Sequence, residues 1–339
     1  MTKKRILLIA PRGSFTEQMM QGFRENDCDV RWVDDRFNWL FPAWSLLQSG
    51  WVWRATRRIH MLRRISNQRL AAMIRQHIDV WRPDALFVHK SLLVKPDTIR
   101  YAQDRGVRVA HWCPENVAHE PYASWMRSVA GLYDTFFSFD ASAVTYMPEE
   151  RRDRFFVLPF ALVPERFHGS MPAAPEFDVC FIGAPYPERQ EALMTLTTLP
   201  HIRLGLFGWS GWRATPLARF YRGSVTPEEA AEIYRRSAIC INMNLLPETH
   251  GVNVKTFEIP AAGGFELTDE RAGLKDVFAI EQEVATFTHI SDLQPKVMYW
   301  LAHPVERQSI AARGRNRVLR DHTMRVRIQQ ALSIIFRTP

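Results

Sequence analysis

The densest run of groups able to do chemistry is Glu248-Thr-His-Gly-Val-Asn-Val-Lys-Thr-Phe-Glu-Ile-Pro-Ala-Ala-Gly-Gly264. A loop carrying His250, Gly251 and Asn253 enters a helix expected to begin near Val254. Open N–H groups at a helix start favour an anion, and Lys255 adds a full positive charge at the same end. A diphosphate suits that place. Glu258 stands one turn further on, and a carboxylate accepting two hydrogen bonds suits the vicinal hydroxyls of a ribose. Taken singly, Lys255 and Glu258 are better explained by a solvated surface helix. The loop, the cation, the carboxylate and the closing Gly pair together point to a site.

Such a site needs a frame that brings a loop and a helix start to one edge. Apolar runs at 5–10, 30–33, 85–89, 107–112, 135–139 and 155–158 read as strands. Helical patterns at 15–25, 57–75 and 96–105 lie between them, the last stopping at Gly106. Residues 159–176 carry Pro159, Pro164, Pro172 and Pro175 without a period, which is a linker signature. The alternation then restarts, with strands at 178–183, 202–207, 238–243 and 265–268 and a helix at 187–196. Thr226-Pro-Glu-Glu229 is a capping box with Pro at the first helical position. The tail reads as three helices, 291–302, 305–320 and 323–336. This order predicts an α/β protein of two doubly wound, Rossmann-like domains, whose ligands bind at the carboxyl ends of the strands.

Composition narrows the classes. With 339 residues, 46% hydrophobic and 24% charged, the chain is neither disordered, collagen-like nor coiled-coil. The four cysteines, Cys28, Cys113, Cys180 and Cys240, show no paired spacing, which excludes a zinc knuckle or a disulfide framework and fits a reduced, cytoplasmic setting. The apolar start at 6–10 is too short for a signal peptide and reads as a buried strand. The uncharged run 37–53 is too short to span a membrane. No Gly-x-Gly-x-x-Gly, Walker loop or His-Glu-x-x-His occurs.

The stretch Gly251-Val-Asn-Val-Lys-Thr-Phe-Glu-Ile-Pro-Ala261 resembles the signature of CgeB-like (spore-maturation-protein-like) glycosyltransferases. Phe265-Glu-Leu-Thr-Asp269, Gly273-Leu-Lys-Asp-Val-Phe278, Glu283-Val-Ala-Thr-Phe287, Leu301-Ala-His-Pro-Val-Glu-Arg307 and Arg317-Val-Leu-Arg-Asp-His-Thr323 are similar to it in the same order. So are Arg82-Pro-Asp-Ala-Leu-Phe-Val-His-Lys-Ser-Leu-Leu93, Gly106-Val-Arg-Val-Ala-His-Trp-Cys-Pro-Glu-Asn116 and Phe156-Val-Leu-Pro-Phe-Ala-Leu-Val-Pro-Glu-Arg166. The resemblance covers most of the chain from about residue 80. It implies a GT-B fold, two Rossmann-like domains facing across a cleft. Residues 1–160 would form the acceptor side, 161–176 a linker and 177–320 the nucleotide-sugar domain, with the helix in 321–339 crossing back. It implies sugar transfer from a nucleotide-diphosphate donor to a protein, envelope or small-molecule acceptor. No cofactor and no obligatory metal are expected, because Lys255, Arg189 and the helix start would stabilise the departing diphosphate. In retaining GT-B relatives a Glu-x7-Glu motif contacts the donor. Glu258 falls on the second Glu, the ribose contact, while His250 stands in place of the first. That departure leaves retention or inversion open.

Within this frame further residues become candidates. On the donor side, Gly183 ends a strand and lets backbone approach a ligand, and Arg189 follows at a helix start, able to neutralise a phosphate. Gly208 and Trp209 end the next strand, Asn244 the one after, and Asn253 and Thr256 flank Lys255. On the acceptor side, His111, Glu115 and Asn116 follow a strand end, with Glu115 or His111 as the general base of an inverting enzyme. His250 is a third catalytic candidate. His89 and Lys90 end another strand, and Gly13 and Ser14 follow the first. A packed histidine and a solvated glutamate compete with these roles, as a solvated arginine does for Arg189.

The net charge is +8, from 44 Lys and Arg against 36 Asp and Glu. Segment 37–78 holds seven arginines and no acid, so it supplies seven of those eight charges. Phe37, Trp39, Phe41, Trp44, Trp51 and Trp53 sit beside them, a pattern shared by anionic-membrane surfaces and by an amphipathic helix with a solvated Arg face. A 2-epimerase on the same fold and a non-catalytic membrane or nucleic-acid binder are the rival functions. The confined charge and the lack of a nucleic-acid motif weigh against nucleic acid. The expected location is cytoplasmic, or peripheral at the inner membrane face. If the strip docks, the protein co-sediments with anionic vesicles at low salt and is released by high salt; no co-sedimentation at low salt rejects this.

Overall fold

The structure is a computed structural model that describes residues 3–35, 60–244 and 250–337. Most of the basic strip, 37–59, and the loop 245–249 lie outside the described residues. The chain divides into two compact units, Met1–Pro159 with Met324–Pro339, and Phe160–Thr323.

The first unit is built on six parallel strands: β1 (Lys4–Ala10), β2 (Cys28–Asp34), β3 (Ala85–His89), β4 (Arg108–Cys113), β5 (Thr135–Ser138) and β6 (Phe155–Val157), in the order β2-β1-β3-β4-β5-β6. Ile6 to Ala10 and the whole of β3 are buried, because helices cover both faces of a parallel sheet. Those helices include α1 (Ser14–Glu25), α2 (His60–Trp81), α3 (Pro96–Gln103) and α4 (Tyr122–Ser128). Ile6 pairs with Ala85 and Ile9 with Val88, so β1 sits between β2 and β3. The winding reverses there, and the loops after β1 and β3 diverge. Leu7, Ile9, Ile74, Leu86, Val88 and Phe136 are part of the core on one face. Gly106 takes φ +73 and turns the chain from α3 into β4.

The second unit repeats the plan with β7 (Phe177–Gly183), β8 (Leu204–Gly208), β9 (Tyr221–Gly223), β10 (Ser237–Asn242), β11 (Glu266–Asp269) and β12 (Ala285–Phe287), in the order β12-β11-β10-β7-β8-β9. Its helices are α5 (Pro187–Leu196), α6 (Pro227–Arg235), α7 (Lys255–Ala261), α8 (Ile290–Ala302) and α9 (Pro304–Asp321). The expected capping box forms: Glu229 N donates to Thr226 Oγ1 at 3.2 Å and Thr226 N to Glu229 Oε2 at 2.7 Å. The reversal point lies between β7 and β10, so the loops after Gly183 and Asn242 flank one crevice. Each unit is thus a doubly wound α/β domain, as the sequence predicts.

Two expectations change. The stretch 161–176 is not a free linker: Leu162 and Phe167 are buried in the core of the second unit, and Arg235 Nη1 donates to Phe167 O at 3.1 Å. The prolines there shape a packed turn, Pro164–Phe167. The seven-residue α4 and the three-residue β9 and β12 were not expected, since such short stretches carry too little periodicity. All four cysteines are buried and free. No helix among the described residues is long and apolar enough to cross a membrane.

The last helix, α10 (Met324–Ile335), belongs to the first unit, where it lies on α1. A Cβ on Gly22 would stand 2.8 Å from Met324 Cγ and 3.0 Å from Ile328 Cγ1. Asn26 Nδ2 also donates to Arg325 O at 2.9 Å. Gly22→Val is therefore expected to lower stability by about 1–3 kcal/mol through overpacking, read by urea denaturation. A change under about 0.5 kcal/mol would mean that α10 can shift at no cost.

Candidate functional site

In the second unit the strand ends at the reversal point carry a polar layer. Asn242, the last residue of β10, is buried. Its Nδ2 lies 3.2 Å from Asn253 Oδ1 and 3.0 Å from Thr256 Oγ1, and Asn253 Nδ2 donates back to Asn242 Oδ1 at 2.9 Å. Asn244 accepts from Asn253 N at 2.8 Å and donates through its own N to Asp269 Oδ1 at 2.8 Å. Arg271 Nε holds the other oxygen of Asp269 at 2.8 Å. Asn244 is therefore tied down by the loop it faces.

This layer sets the start of α7. Lys255 N donates to Asn253 Oδ1 at 2.8 Å, and Thr256 N to Asn253 O at 3.2 Å. The expectation of open N–H groups at this start is corrected: Asn253 already occupies the first of them. An anion here must be held chiefly by side chains. At the far end Gly263, with φ +86, donates to Pro260 O at 2.8 Å and closes the helix.

The side chains present are suited to that task. Lys255 and Glu258 are half-buried on α7, and Arg189 is half-buried on α5. Burial lowers the Lys255 pKa, Glu258 opposes that shift, and the nearby Arg189 guanidinium adds to it. Burial raises Glu258, with Lys255 opposing. Arg189 is not the solvated helix arginine that the sequence allowed. Its Nη2 donates to Met243 O at 2.8 Å and its Nη1 to Ala184 O at 3.3 Å, which links the ends of β7 and β10. Its Nε is buried without a partner among the described residues, and burial lowers its pKa. Neither Lys255 nor Arg189 is in a salt bridge among the described residues.

Gly183 and Gly208 meet at the floor of the crevice. A Cβ on Gly208, whose φ is +105, would lie 2.9 Å from Gly183 O. A Cβ on Gly183 would meet the Phe181 ring at 2.9 Å and Arg189 Nη1 at 3.1 Å. Trp209 beyond them is 68% exposed, whereas Trp212 is buried and donates to Gly183 O at 2.9 Å. His250 sits on the loop rim, its Nε2 3.0 Å from Asp276 Oδ2. A groove of about 850 Å³ opens elsewhere, at the amino ends of β7 and β8. Its Arg203 and Arg236 are paired with Asp178 and Glu176.

The first unit treats its sequence candidates differently. His111 is fully buried, stacked on Phe136 at 5.2 Å and against Trp125 at 4.7 Å. Burial pushes its pKa down to about 3. It is a packed histidine, and its place as a candidate base is corrected on that ground. His89 is likewise packed, between Phe15 at 5.1 Å and Trp112 at 5.5 Å, with its pKa down to about 3. It cannot be a titrating acceptor contact. Lys90, at φ +63, forms an ion pair with Glu115 across the ends of β3 and β4. Asn116 Oδ1 accepts from Ala118 N at 2.8 Å and shapes the turn that follows. Ser14 opens α1, and a Cβ on Gly13 would meet nothing within 4 Å. Glu115, Lys90, Gly13 and Ser14 thus remain at the carboxyl rim of β1, β3 and β4. The Asp-x-Asp triplet Asp27-Cys28-Asp29 stands where β2 begins, at the opposite end of the sheet, and there Asp27 pairs with Lys3 at 2.7 Å. Among the described residues no three His, Cys, Asp or Glu side chains cluster as a metal site.

Residues 175–333 match the family described as Glycosyl transferase-like. The chain is 22% identical over 254 residues to spore protein CgeB of Bacillus subtilis (strain 168), covering 69% of this chain and 77% of that one. The chain resembles the CgeB-like glycosyltransferases. The fold of this glycosyltransferase is similar to that of a sucrose-phosphate synthase from Thermosynechococcus elongatus, with TM-score 0.67, 10% identity, and 98% and 99% of the two chains covered. It is also similar to HepE of Anabaena in complex with UDP, with TM-score 0.65, 9% identity, and 97% and 99% covered. A glycosyltransferase from Rickettsia africae aligns with TM-score 0.65 at 10% identity over 99% and 98%. At such identities the likeness shows the fold, which is GT-B.

Sequence reasoning missed Asn242, Glu266, Asp269 and Arg271 in this glycosyltransferase. Their signal was present: an Asn and a Glu inside runs otherwise apolar enough to be strands. It also missed the Lys90–Glu115 pair. The Gly183–Gly208 approach is a close backbone contact at the floor of the crevice. Gly208→Ala should cost about 1–3 kcal/mol, since it adds left-handed strain to a clash with Gly183 O. Urea denaturation that shifts by less than about 0.5 kcal/mol would show that the ends of β7 and β8 part freely.

Proposed function

We propose that this enzyme transfers a sugar from a nucleoside-diphosphate donor bound at the crevice between β7 and β10. The observation that carries the reading is the pair of half-buried cations, Lys255 and Arg189, without a salt-bridge partner among the described residues. A charge withdrawn from water is costly unless an anion answers it. A diphosphate would do so, and its growing negative charge as it leaves would be stabilised by both cations. Glu258, one turn into α7, is assigned to the ribose hydroxyls, and His250 to the donor sugar. The Anabaena neighbour was solved with UDP, which supports a uridine nucleotide as the first to test. In this reading the two cations do the work and no metal is required.

The acceptor is assigned to the first unit, at the rim formed by Gly13, Ser14, Lys90 and Glu115. Glu115 is the one carboxylate among the sequence candidates there and is assigned as general base. Its ion pair with Lys90 is half-exposed and worth only about 0–1 kcal/mol, so an acceptor hydroxyl can displace it.

A thermal-shift screen with UDP-, GDP-, TDP- and CMP-sugars tests the donor class. With the stabilising nucleotide, Lys255→Ala and Glu258→Ala should each weaken binding at least about tenfold, the loss of one charge-assisted contact. Unchanged affinity in calorimetry for both variants would sink the assignment.

A further inference from the structure

Beneath the donor groups lies a carboxyl group that no step of the proposed reaction uses. Glu266 opens β11 and is 2% exposed. Its Oε1 accepts from Asn242 Nδ2 at 2.8 Å, and its Oε2 is buried without a partner among the described residues. The same Asn242 amide reaches Thr256 Oγ1 at 3.0 Å and Asn253 Oδ1 at 3.2 Å. An NH2 group has two hydrogens, so it cannot serve three acceptors at once. The conflict eases if Thr256 turns its own hydroxyl hydrogen toward Glu266, with which it is also hydrogen-bonded. The groups that face Glu266 are Tyr234 on α6, Cys240 on β10, Asp269 on its own strand, and the neutral Asn242 and Thr256. None is a cation, and burial pushes the carboxyl up to about 8. At neutral pH it is therefore mostly an acid with an O–H of its own to give.

We propose that Glu266 is a positioning residue for the donor site: through Asn242 and Thr256 it fixes the Asn253 cap, and that cap fixes the first turn of α7, which carries Lys255 and Glu258. The inference rests on reading that turn as the donor site. The chain of contacts is continuous. Glu266 holds Asn242, Asn242 and Asn253 exchange hydrogen bonds, and Asn253 Oδ1 accepts from Lys255 N at 2.8 Å. Glu266 already accepts from Asn242, and its second oxygen is buried without a partner among the described residues, so burial makes the charged form costly there. The protonated form therefore stabilises the turn fully below the ordinary carboxyl value of 4.5, and that contribution is lost as the pH rises to about 8.

Hydrogen–deuterium exchange of the full chain tests this without any ligand. Segment 250–258 is followed in the wild type, Glu266→Gln and Glu266→Ala, with β8 as the remote control. Glu266→Ala should speed exchange in 250–258 about tenfold and leave β8 unchanged, while Glu266→Gln, which keeps both an acceptor and a donor, should stay within about twofold of the wild type. After correction for intrinsic rates, wild-type protection of 250–258 should fall between pH 5 and pH 9, and that of Glu266→Gln should not. Equal exchange in Glu266→Ala and the wild type overturns the proposal. So does a rise spread evenly over the second unit, or a Gln variant as fast as the Ala one. Should Glu266→Ala not fold, Thr256→Val cuts the same link from the other side and is read in the same way. Calorimetry with UDP, GDP, TDP and CMP runs beside it. A wild type that binds none of them removes the donor reading alone, because the exchange result stands without ligand. A Glu266→Ala variant that binds a nucleotide as tightly as the wild type removes the positioning role.

Discussion

Taking a charge even partly out of water costs on the order of a few kcal/mol unless something answers it, and the second unit does this twice in one crevice. Arg189 answers part of its own cost by donating to two backbone carbonyls, one beyond each of the two strands that flank the reversal point. Much of the local structure follows from that arrangement. The ends of β7 and β10 must stay apart by the width of a guanidinium, and Gly208 must let β8 close against Gly183 beside them. Phe181 and Tyr186 lie 5.3 Å from the guanidinium and supply weak cation–π support in place of a carboxylate. A carboxylate partner would have made the fold more stable and the crevice electrically neutral. Among the described residues Arg189 has no salt bridge, and Asp269 and Glu188 act on it only through space.

The two sheets share a winding scheme but finish their strand ends differently. In the second unit the layer under the crevice is made of Asn, Thr, Asp and Glu that hydrogen-bond one another, with one oxygen of Glu266 left over, which fixes direction as well as position. In the first unit the equivalent layer is aromatic: Phe15, His89 and Trp112 in one cluster, and His111, Trp125, Tyr133 and Phe136 in another. Neutral histidines serve there as flat rings. The polar groups left at that rim include an ion pair, Lys90 with Glu115, that is half-exposed to solvent.

The strands were legible because a parallel sheet buried on both faces writes itself as continuous apolar runs. The bounds of β3 and α5 agree with the runs 85–89 and 187–196 to the residue. The capping box at Thr226 was legible because its chemistry is local. What escaped was whatever depends on a neighbour distant in sequence. A histidine in a strand run gives no sign of which face it takes, so His111 and His89 read as site residues until the aromatic rings around them were placed. Proline density suggested a linker at 161–176, but proline forbids helix and strand without forbidding burial, and Leu162 and Phe167 are in the core. Lys255 and Glu258 were legible from spacing on one helix. Asn242 and Glu266 were not, since their importance lies in hydrogen bonds between β10, β11 and α7.

The path of the chain adds a constraint of its own. The first unit is discontinuous: it is begun by residues up to Pro159 and finished by α10, after the whole second unit has been made. Gly22 on α1 has no side chain because Met324 and Ile328 occupy that space, so α1 presents a bare backbone face until α10 arrives. Contacts between residues some three hundred positions apart are slow to form, since the entropy of closing the loop is lost before the contact gives anything back. The second unit, Phe160–Thr323, is continuous and can close its core as soon as it is synthesised. Its own ends already lie side by side, with Leu162 N donating to His322 O at 3.3 Å and Leu162 bridged to Thr323. Closing the second unit therefore brings Phe160 and Thr323 near each other and shortens the effective loop that α10 must close to reach α1. In this topology the second unit is the template on which the first unit is completed.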